Sequence, residues 1–358
     1  MKILYGVQTT GNGHISRSTE VVHYLKELGA DVQVIFSGAQ RSSFWDYTVF
    51  EPYDVYTGVT FVTAKGRISN RKTARQLNLV GLARDIKQLD VSSYDLVVSD
   101  FEPITAWAAK LRKKLSIGIS HQNAFYYRIP QPKGGYLSRL IMRAFAPACI
   151  RFGLHWHHFD NPILPPIVNP ELAIGQPVVE GKILVYLPFE DPRAVRKLLR
   201  PFNTRQFFIY EGAKNKITEG HIHRLPFSRE GFMRDLQECT GVICQAGFEL
   251  PSEALHIGKK LLVKPVSGQY EQIANGIALE KLGLGTSVNS LSESGVANWL
   301  QEVSNKPMDY PNVAKALAEW IVQGDLSNPQ SLASSLWQRV GNLPSPLNDE
   351  PASMTAKL

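Results

Sequence analysis

Short apolar runs alternate with longer amphipathic segments along most of the chain. Residues 2–8 (KILYGVQ) predict a buried strand, and a Gly-rich turn over 9–17 leads into a helix that continues to about Gly29. Residues 31–37 (DVQVIFS) predict the next strand, so the chain opens as a βαβ unit. A further strand at 96–98 runs out on Ser99-Asp100, a helix follows from about 104 to 114, and 116–120 (SIGIS) reads as a strand again. Segment 50–75 mixes Tyr, Thr, Gly and basic residues without a clean period and predicts no element. Five prolines within 161–177 rule out a continuous helix there and read as a linker. At 182–186 (KILVY) the rhythm restarts: strand, helix (192–199), strand (206–210), loop, helix, strand (242–244). A last helix is expected at 329–340, before a tail at 343–358 whose Pro, Ser, Asn and Asp content predicts disorder.

The most informative stretch is 241–275, GVICQAGFELPSEALHIGKKLLVKPVSGQYEQIAN. It reads as an apolar strand, a small-residue turn (Gln245, Ala246, Gly247), a helix, a second apolar strand (261–266) and a polar loop into another helix. Pro251 suits the first turn of the middle helix and Gly258 its stop, which puts Glu253 near the mouth of the preceding loop. The loop Ser267-Gly268-Gln269-Tyr270-Glu271-Gln272 is rich in hydrogen-bonding groups and lies just past the carboxyl end of a buried strand. Open α/β sheets bind ligands at that edge.

Composition narrows the class. At 358 residues, 44% apolar and 20% charged, the chain fits two globular α/β domains. Its first residues turn polar after seven positions, which leaves no signal-peptide core, and no run approaches a bilayer span. Cys149, Cys239 and Cys244 show neither metal spacing nor a secreted framework, so a cytoplasmic setting is expected. A net charge of +7 favours anionic partners. Basic clusters occur at Lys110, Arg112, Lys113 and Lys114 and at Arg67, Arg71, Lys72 and Arg75, where a solvated face is the default reading. No zinc-finger spacing or aromatic RNA-binding motif is present, so no nucleic-acid partner is expected.

Candidate chemistry starts at Gly11-Asn12-Gly13-His14, which opens a helix after the first strand and can turn backbone N–H groups toward a ligand. A dinucleotide fingerprint would need a third glycine or an alanine where Ser16 stands, and an acidic end to the second strand, which instead ends on Phe36-Ser37-Gly38. His14 is placed for proton transfer, unless this is only a tight structural turn. Asp100, at a strand end, is either a helix N-cap or a carboxylate partnering His14 or taking a proton itself; Asp100-x-Glu102 as a metal pair is weak. The HWHH run (His155, His157, His158) and the pair His221 and His223 lack the further ligands zinc needs, so no metal site is expected. Cys244 in a strand reads as packing. Residues 136–145 carry Leu137, Leu140, Ile141, Ala144 and Phe145 on one helical stripe opposite Arg139 and Arg143. That is either a core-packed helix or a basic amphipathic patch for an anionic membrane.

Gly11-x-Gly13-His14, the proline-rich linker, Gly247, Glu253-Ala254, Gly258-Lys259, Pro265 and Gly268-Gln269-x-Glu271-Gln272-x-x-Asn275 occur in a fixed order. Together they resemble the two-domain glycosyltransferases that use nucleotide-activated sugars. The nearest resemblance is to MJ-type glycosyltransferase-like proteins, related to the N-acetylglucosaminyl transferase of peptidoglycan lipid assembly. This chain lacks the additional glycine and the proline that follow the histidine in that enzyme. The resemblance covers about 1–325 and implies an α/β protein with two Rossmann-like domains facing across a cleft (GT-B). An acceptor domain would occupy 1–160, a linker 161–180, a donor domain 181–325 and a C-terminal helix 326–342. It implies an inverting hexosyl transfer without a bound metal or cofactor, from a UDP-linked sugar to an unidentified hydroxyl acceptor. A lipid-linked acceptor, with contact at the inner face of the membrane, is among the options.

By motif match Glu253 would hold the ribose hydroxyls, Gln269, Glu271 and Gln272 would face the sugar and diphosphate, and Gly247 would let the backbone approach the phosphates. Gly11, Gly13, Ser267, Gly268 and Asn275 complete the expected donor side, with His14 and Asp100 as rivals for the base. A nucleotide-sugar epimerase and a non-catalytic nucleotide-sugar sensor remain as alternatives on the same fold.

Overall fold

The computed structural model describes residues 1–38, 47–60, 63–64, 67–68, 77–324 and 326–346. Arg71, Lys72 and Arg75 of the second basic cluster, and the expected tail from 347 onward, lie outside the described residues.

The first half alternates strand and helix: β1 (Lys2–Gln8), α1 (Asn12–Glu27), β2 (Asp31–Ser37), β3 (Tyr53–Tyr56), α2 (Leu79–Gln88), β4 (Leu96–Asp100), α3 (Pro103–Leu111), β5 (Ser116–Ser120), α4 (Tyr136–Phe145), β6 (Ile150–Leu154) and β7 (Ile163–Leu164). A short antiparallel pair, Thr63–Ala64 with Arg67–Ile68, stands apart. The seven strands form one sheet in the order β3-β2-β1-β4-β5-β6-β7, every neighbour parallel. Parallel strands are covered by helices on both faces, which is why β1, β4 and β5 read as unbroken apolar runs.

The second half repeats the plan with β8 (Lys182–Tyr186), α5 (Pro192–Leu199), β9 (Gln206–Tyr210), β10 (Ile217–Glu219), β11 (Ile222–Leu225), α6 (Arg229–Glu238), β12 (Gly241–Gln245), α7 (Glu249–His256), β13 (Lys260–Lys264), α8 (Tyr270–Lys281), β14 (Thr286–Ser287) and α9 (Glu293–Gln301). Its order is β10-β11-β9-β8-β12-β13-β14, parallel except for the β10–β11 edge. In both sheets the strand order reverses beside the first strand of the half: between β1 and β4, and between β8 and β12. Crevices at such switch points, outside the carboxyl ends of the strands, are where open α/β sheets hold ligands.

The chain then returns to the first sheet. Helix α10 (Val313–Gln323) lies along α1, with Asn312 Nδ2 donating to Tyr24 Oη at 2.7 Å. Helix α11 (Pro329–Trp337) reaches β7, where Trp337 Nε1 donates to the Ile163 carbonyl at 2.6 Å. One apolar cluster is continuous across both halves; it joins Trp156 of the first to Phe248 of the second, and takes in Leu317 and Ile321 of α10. Trp156 also donates its indole N–H to Ser252 Oγ at 2.8 Å, so the halves meet through packed and hydrogen-bonded contacts.

Candidate functional site

The first switch point assembles the histidine and the aspartate. Gly11, at φ 105°, sits in a backbone region that side chains avoid and turns β1 into α1, leaving His14 in the first turn. Asp100 ends β4 directly opposite Val7 of β1. His14 Nδ1 lies 2.8 Å from Asp100 Oδ1. Arg17, one turn further along α1, brackets the same carboxylate: Nε to Oδ2 at 2.7 Å and Nη2 to Oδ1 at 2.5 Å. Ser18 Oγ donates to Oδ2 at 3.0 Å. Asp100 is fully buried. Burial pushes its carboxyl up, but Arg17 and then His14 more than offset this and hold it below the usual range. The N-cap role considered for Asp100 belongs to Glu102, whose carboxylate accepts from the Ile104 and Thr105 amides at 2.7 Å each, ahead of Pro103 at the helix start. Between them Phe101 adopts φ 52° and stacks toward His14 at 6.3 Å and on Phe145 of α4 at 4.8 Å.

Facing this network is the start of α7. Glu249 accepts from Arg17 Nη1 across the two halves, with both side chains nearly buried. Glu253, one turn on, is buried beside Ser16 of α1. Desolvation, and next the neighbouring Glu249, push the Glu253 carboxyl up to about 8. Desolvation likewise lifts Glu249 to about 7 against the pull of Arg17. A side chain built at Gly247 would meet no atom within 4 Å, so the turn before α7 borders open space.

The expected donor loop divides in two. Ser267 and Gly268 are exposed, the latter at φ 81°, and Gln269 is half-buried at the N-cap of α8. Glu271 accepts from Gln122 Nε2 of the first half at 3.0 Å. Gln272 and Asn275 turn inward: Gln272 Oε1 accepts from the Val266 amide at 2.9 Å, and Asn275 donates to the Ala246 carbonyl at 3.0 Å. Asn275 Oδ1 also lies 2.6 Å from His121 Nε2, and the His121 ring stacks on Phe248 at 4.0 Å. His14, Asp100, Glu249 and Glu253 therefore share one neighbourhood, while Asn275 holds a buried latch between the halves.

Arg17, Glu249, Phe101 and His121 were not singled out by sequence reasoning. Arg17 had a usable signal, since it lies three positions after His14 on one helical face. Glu249 had none, because its role depends on a residue 232 positions away.

The other candidates resolve in ordinary ways. His155, His157 and His158 each accept a nearby backbone N–H, and among the described residues no group of three or more His, Cys, Asp or Glu converges on a metal position. Cys239 and Cys244 are buried, and burial pushes both thiols up, Cys239 to about 11, which suits packing and not nucleophilic attack. Helix α4 differs from the core-packing default: none of its residues is buried, and Leu137, Leu140 and Ile141 are 69%, 64% and 56% exposed. Arg139 lies over the Tyr136 ring at 4.6 Å and Arg143 over Tyr126 at 5.1 Å. No helix among the described residues is long and apolar enough to cross a membrane.

Residues 1–304 match the sequence model of the family described as glycosyl transferase family 1. Among solved structures, the glycotransferase of kitacinnamycin is similar with a TM-score of 0.58 and 13% identity, covering 95% of this chain and 99% of that one. SsfS6 from Streptomyces sp. SF2575, complexed with thymidine diphosphate, gives 0.57 and 12%, covering 96% of each chain. The calicheamicin glycosyltransferase CalG4 gives 0.54 and 14%, covering 94% and 98%. At these identities the likeness is one of fold, the two facing parallel-sheet halves of GT-B glycosyltransferases. No curated protein matches the sequence.

Proposed function

The chain belongs to glycosyl transferase family 1, and from that premise we propose that it moves a hexosyl group, with inversion and without a bound metal, from a UDP-linked sugar to a hydroxyl acceptor. The observation that carries the reading is the 2.8 Å contact between His14 Nδ1 and Asp100 Oδ1 at a sheet switch point facing α7. With Nδ1–H given to Asp100, Nε2 keeps its lone pair. It takes the acceptor's hydroxyl proton as that oxygen bonds to the anomeric carbon, and the bond to the diphosphate oxygen breaks on the opposite face. Asp100, fully buried and already accepting from Arg17 and Ser18, orients the imidazole and balances its charge, which leaves His14 as the base.

On the donor side the open turn at Gly247, at the N-terminus of α7, supports a diphosphate position, where helix amides meet the charge that develops on departure. Glu253, one turn in, supports a partner for the ribose diol. The thymidine diphosphate held by SsfS6 supports a pyrimidine nucleotide. The exposed apolar and basic face of α4, joined to His14 through Phe145 and Phe101, supports a lipid-linked acceptor presented at the inner face of a membrane.

Calorimetry with UDP- and dTDP-sugars, paired with product analysis, tests the reading. At least one donor binds, Glu253→Ala abolishes that binding, and His14→Ala keeps it while lowering turnover by about 10²–10⁴-fold. Absence of binding by every donor, or full turnover in His14→Ala, overturns it. Isomerised donor in the absence of acceptor would instead identify an epimerase.

A further inference from the structure

We propose that Gln122, on the first half of the molecule, reads the sugar of the donor: its amide and the Glu271 carboxylate across the cleft grip two neighbouring hydroxyls of the hexosyl group. This rests on the nucleotide-sugar donor proposed for the cleft, and adds to it a specificity residue and the part of the sugar that it recognises.

Gln122 is 6% exposed, and only one end of its amide is satisfied. Nε2 donates to Glu271 Oε2 at 3.0 Å. A carboxylate only accepts, so the nitrogen must face it, and this settles which end of the amide is the oxygen. Oε1 is then buried with no hydrogen-bond partner among the described residues. A buried carbonyl without a donor weakens the fold that holds it, and a ligand hydroxyl is a donor of the kind it lacks.

The backbone that carries the amide is held on both sides. Gln122 lies in the short 3₁₀ helix His121–Tyr126, just past the carboxyl end of β5. Before it, the His121 ring stacks on Phe248 and Nε2 lies 2.6 Å from Asn275 Oδ1. After it, the Asn123 amide donates to Ser120 Oγ at 3.2 Å. A side chain at Gly153 of β6 would come within 2.7 Å of the Ala124 backbone, so this helix rests directly on the sheet. Its position is also that of the donor. Asn275 donates to the Ala246 carbonyl at 3.0 Å, beside the open turn at Gly247 where the diphosphate is proposed to lie. Direct contacts therefore lead from this helix to that turn, and Glu271 stands in the first turn of α8. The hexosyl group is bonded to the diphosphate, so it reaches the same part of the cleft.

The hydrogen-bonding chemistry fits a sugar. A hydroxyl both donates and accepts, so one can stand between Gln122 Nε2 and Glu271 Oε2, accepting from the amide and donating to the carboxylate. Neither group is left unpaired, and the bond to the carboxylate is charge-assisted. A neighbouring hydroxyl donates to Oε1 and supplies the partner that the protein itself does not. The nitrogen and oxygen of an amide share one carbon, which suits two hydroxyls on adjacent ring carbons. A sugar that lacks either hydroxyl leaves a buried polar group unpaired, so the site selects against deoxy sugars at those two positions.

Calorimetry with UDP, dTDP, UDP-glucose, UDP-galactose, UDP-N-acetylglucosamine and dTDP-glucose identifies the donor that binds best. Analogues of that donor, with one ring hydroxyl removed at a time, then probe the contact in the native chain and in Gln122→Met, which keeps the length of the side chain without its amide. Gln122→Met should bind the donor about 10-fold less tightly or worse and the free nucleotide diphosphate within about twofold of the native chain. Two deoxy analogues, altered at adjacent ring carbons, should lose about 10-fold in the native chain and nothing further in Gln122→Met. Should Gln122→Met not fold, Gln122→Asn, which withdraws the same amide by one methylene, goes through the same measurements. Equal losses for the nucleotide and the donor would mean that Gln122 shapes the cleft without touching the sugar, and overturn the proposal. Deoxy analogues that lose the same factor in both chains overturn it as well. A donor bound equally by both chains overturns it and leaves the transferase reading standing, whereas failure of every donor to bind the native chain overturns both.

Discussion

Gly13 carries a consequence at the scale of a single residue. A methyl group at 13 collides with Glu249 of the facing half. Overpacking a tight contact costs about 1–3 kcal/mol. Gly13→Ala should therefore leave each half folded, lower Tm by roughly 2 °C per kcal/mol lost and weaken donor binding by calorimetry. An unchanged Tm together with native donor affinity would show that Glu249 can move aside without cost. His14 and Asp100 were legible in the sequence because one opens the helix that follows an apolar strand and the other ends such a strand, at the edge where sheets expose function. Their relationship was not legible. Both were read as possible bases, and it takes the parallel register of β1 with β4 to put one against the other. Cap assignment failed for a local reason: with Pro103 at the first helical position, the residue that reaches the free amides is Glu102.

Helix α4 shows what a periodic pattern can and cannot say about an element. Its apolar stripe was plain in the sequence, yet periodicity reports that a face is apolar and not what covers it. Among the described residues its last turns are tied down by Trp107 Nε1 to the Ala144 carbonyl at 3.0 Å and Tyr126 Oη to the Arg143 carbonyl at 2.8 Å. The side chains of Leu137, Leu140 and Ile141 project outward. Burying such a side chain in a bilayer interface gains about 1.5–3 kcal/mol, against about 1 kcal/mol for each Arg near an anionic surface, so the apolar residues should dominate. Changing all three to Asp should abolish co-sedimentation with phosphatidylglycerol vesicles and shift stability by no more than about 0.5 kcal/mol per site. Arg139→Gln with Arg143→Gln should remove only the salt-sensitive part. If the native chain fails to sediment, or the triple variant sediments equally well, α4 is not a membrane face. Most of the long strands were found from their apolar runs to within about two residues, but β6 (Ile150–Leu154) was missed, and β7 and β14, two residues each, carry too little pattern to be seen.

At the scale of the whole molecule, the sequence conveyed two α/β halves but not how they close, because closure is decided by side chains from distant segments. Where α1 meets α7 it buries more carboxyl groups than it pairs. Desolvation pushes Glu253 up to about 8, with Glu249 adding to the rise and Arg229 opposing it. Desolvation also pushes Glu20 to about 7, opposed by Arg229 and raised further by Glu171. In a separated or unfolded chain both would titrate near 4.5. A carboxyl that is raised in the closed form binds its proton more tightly there. Its contribution to closure is complete below about 4.5 and is lost as the pH climbs through 7 to 8. Arg17 does not reverse this, since it is already held by Asp100 and Glu249. The donor-free protein should accordingly be most compact in mild acid and open progressively toward pH 8, measured as an increase in radius of gyration by solution X-ray scattering. Glu253→Gln, which cannot ionise, should stay compact over more of that range. A native radius of gyration that does not change between pH 5 and 8, or a Glu253→Gln profile identical to the native one, would mean that these carboxyls do not govern the cleft.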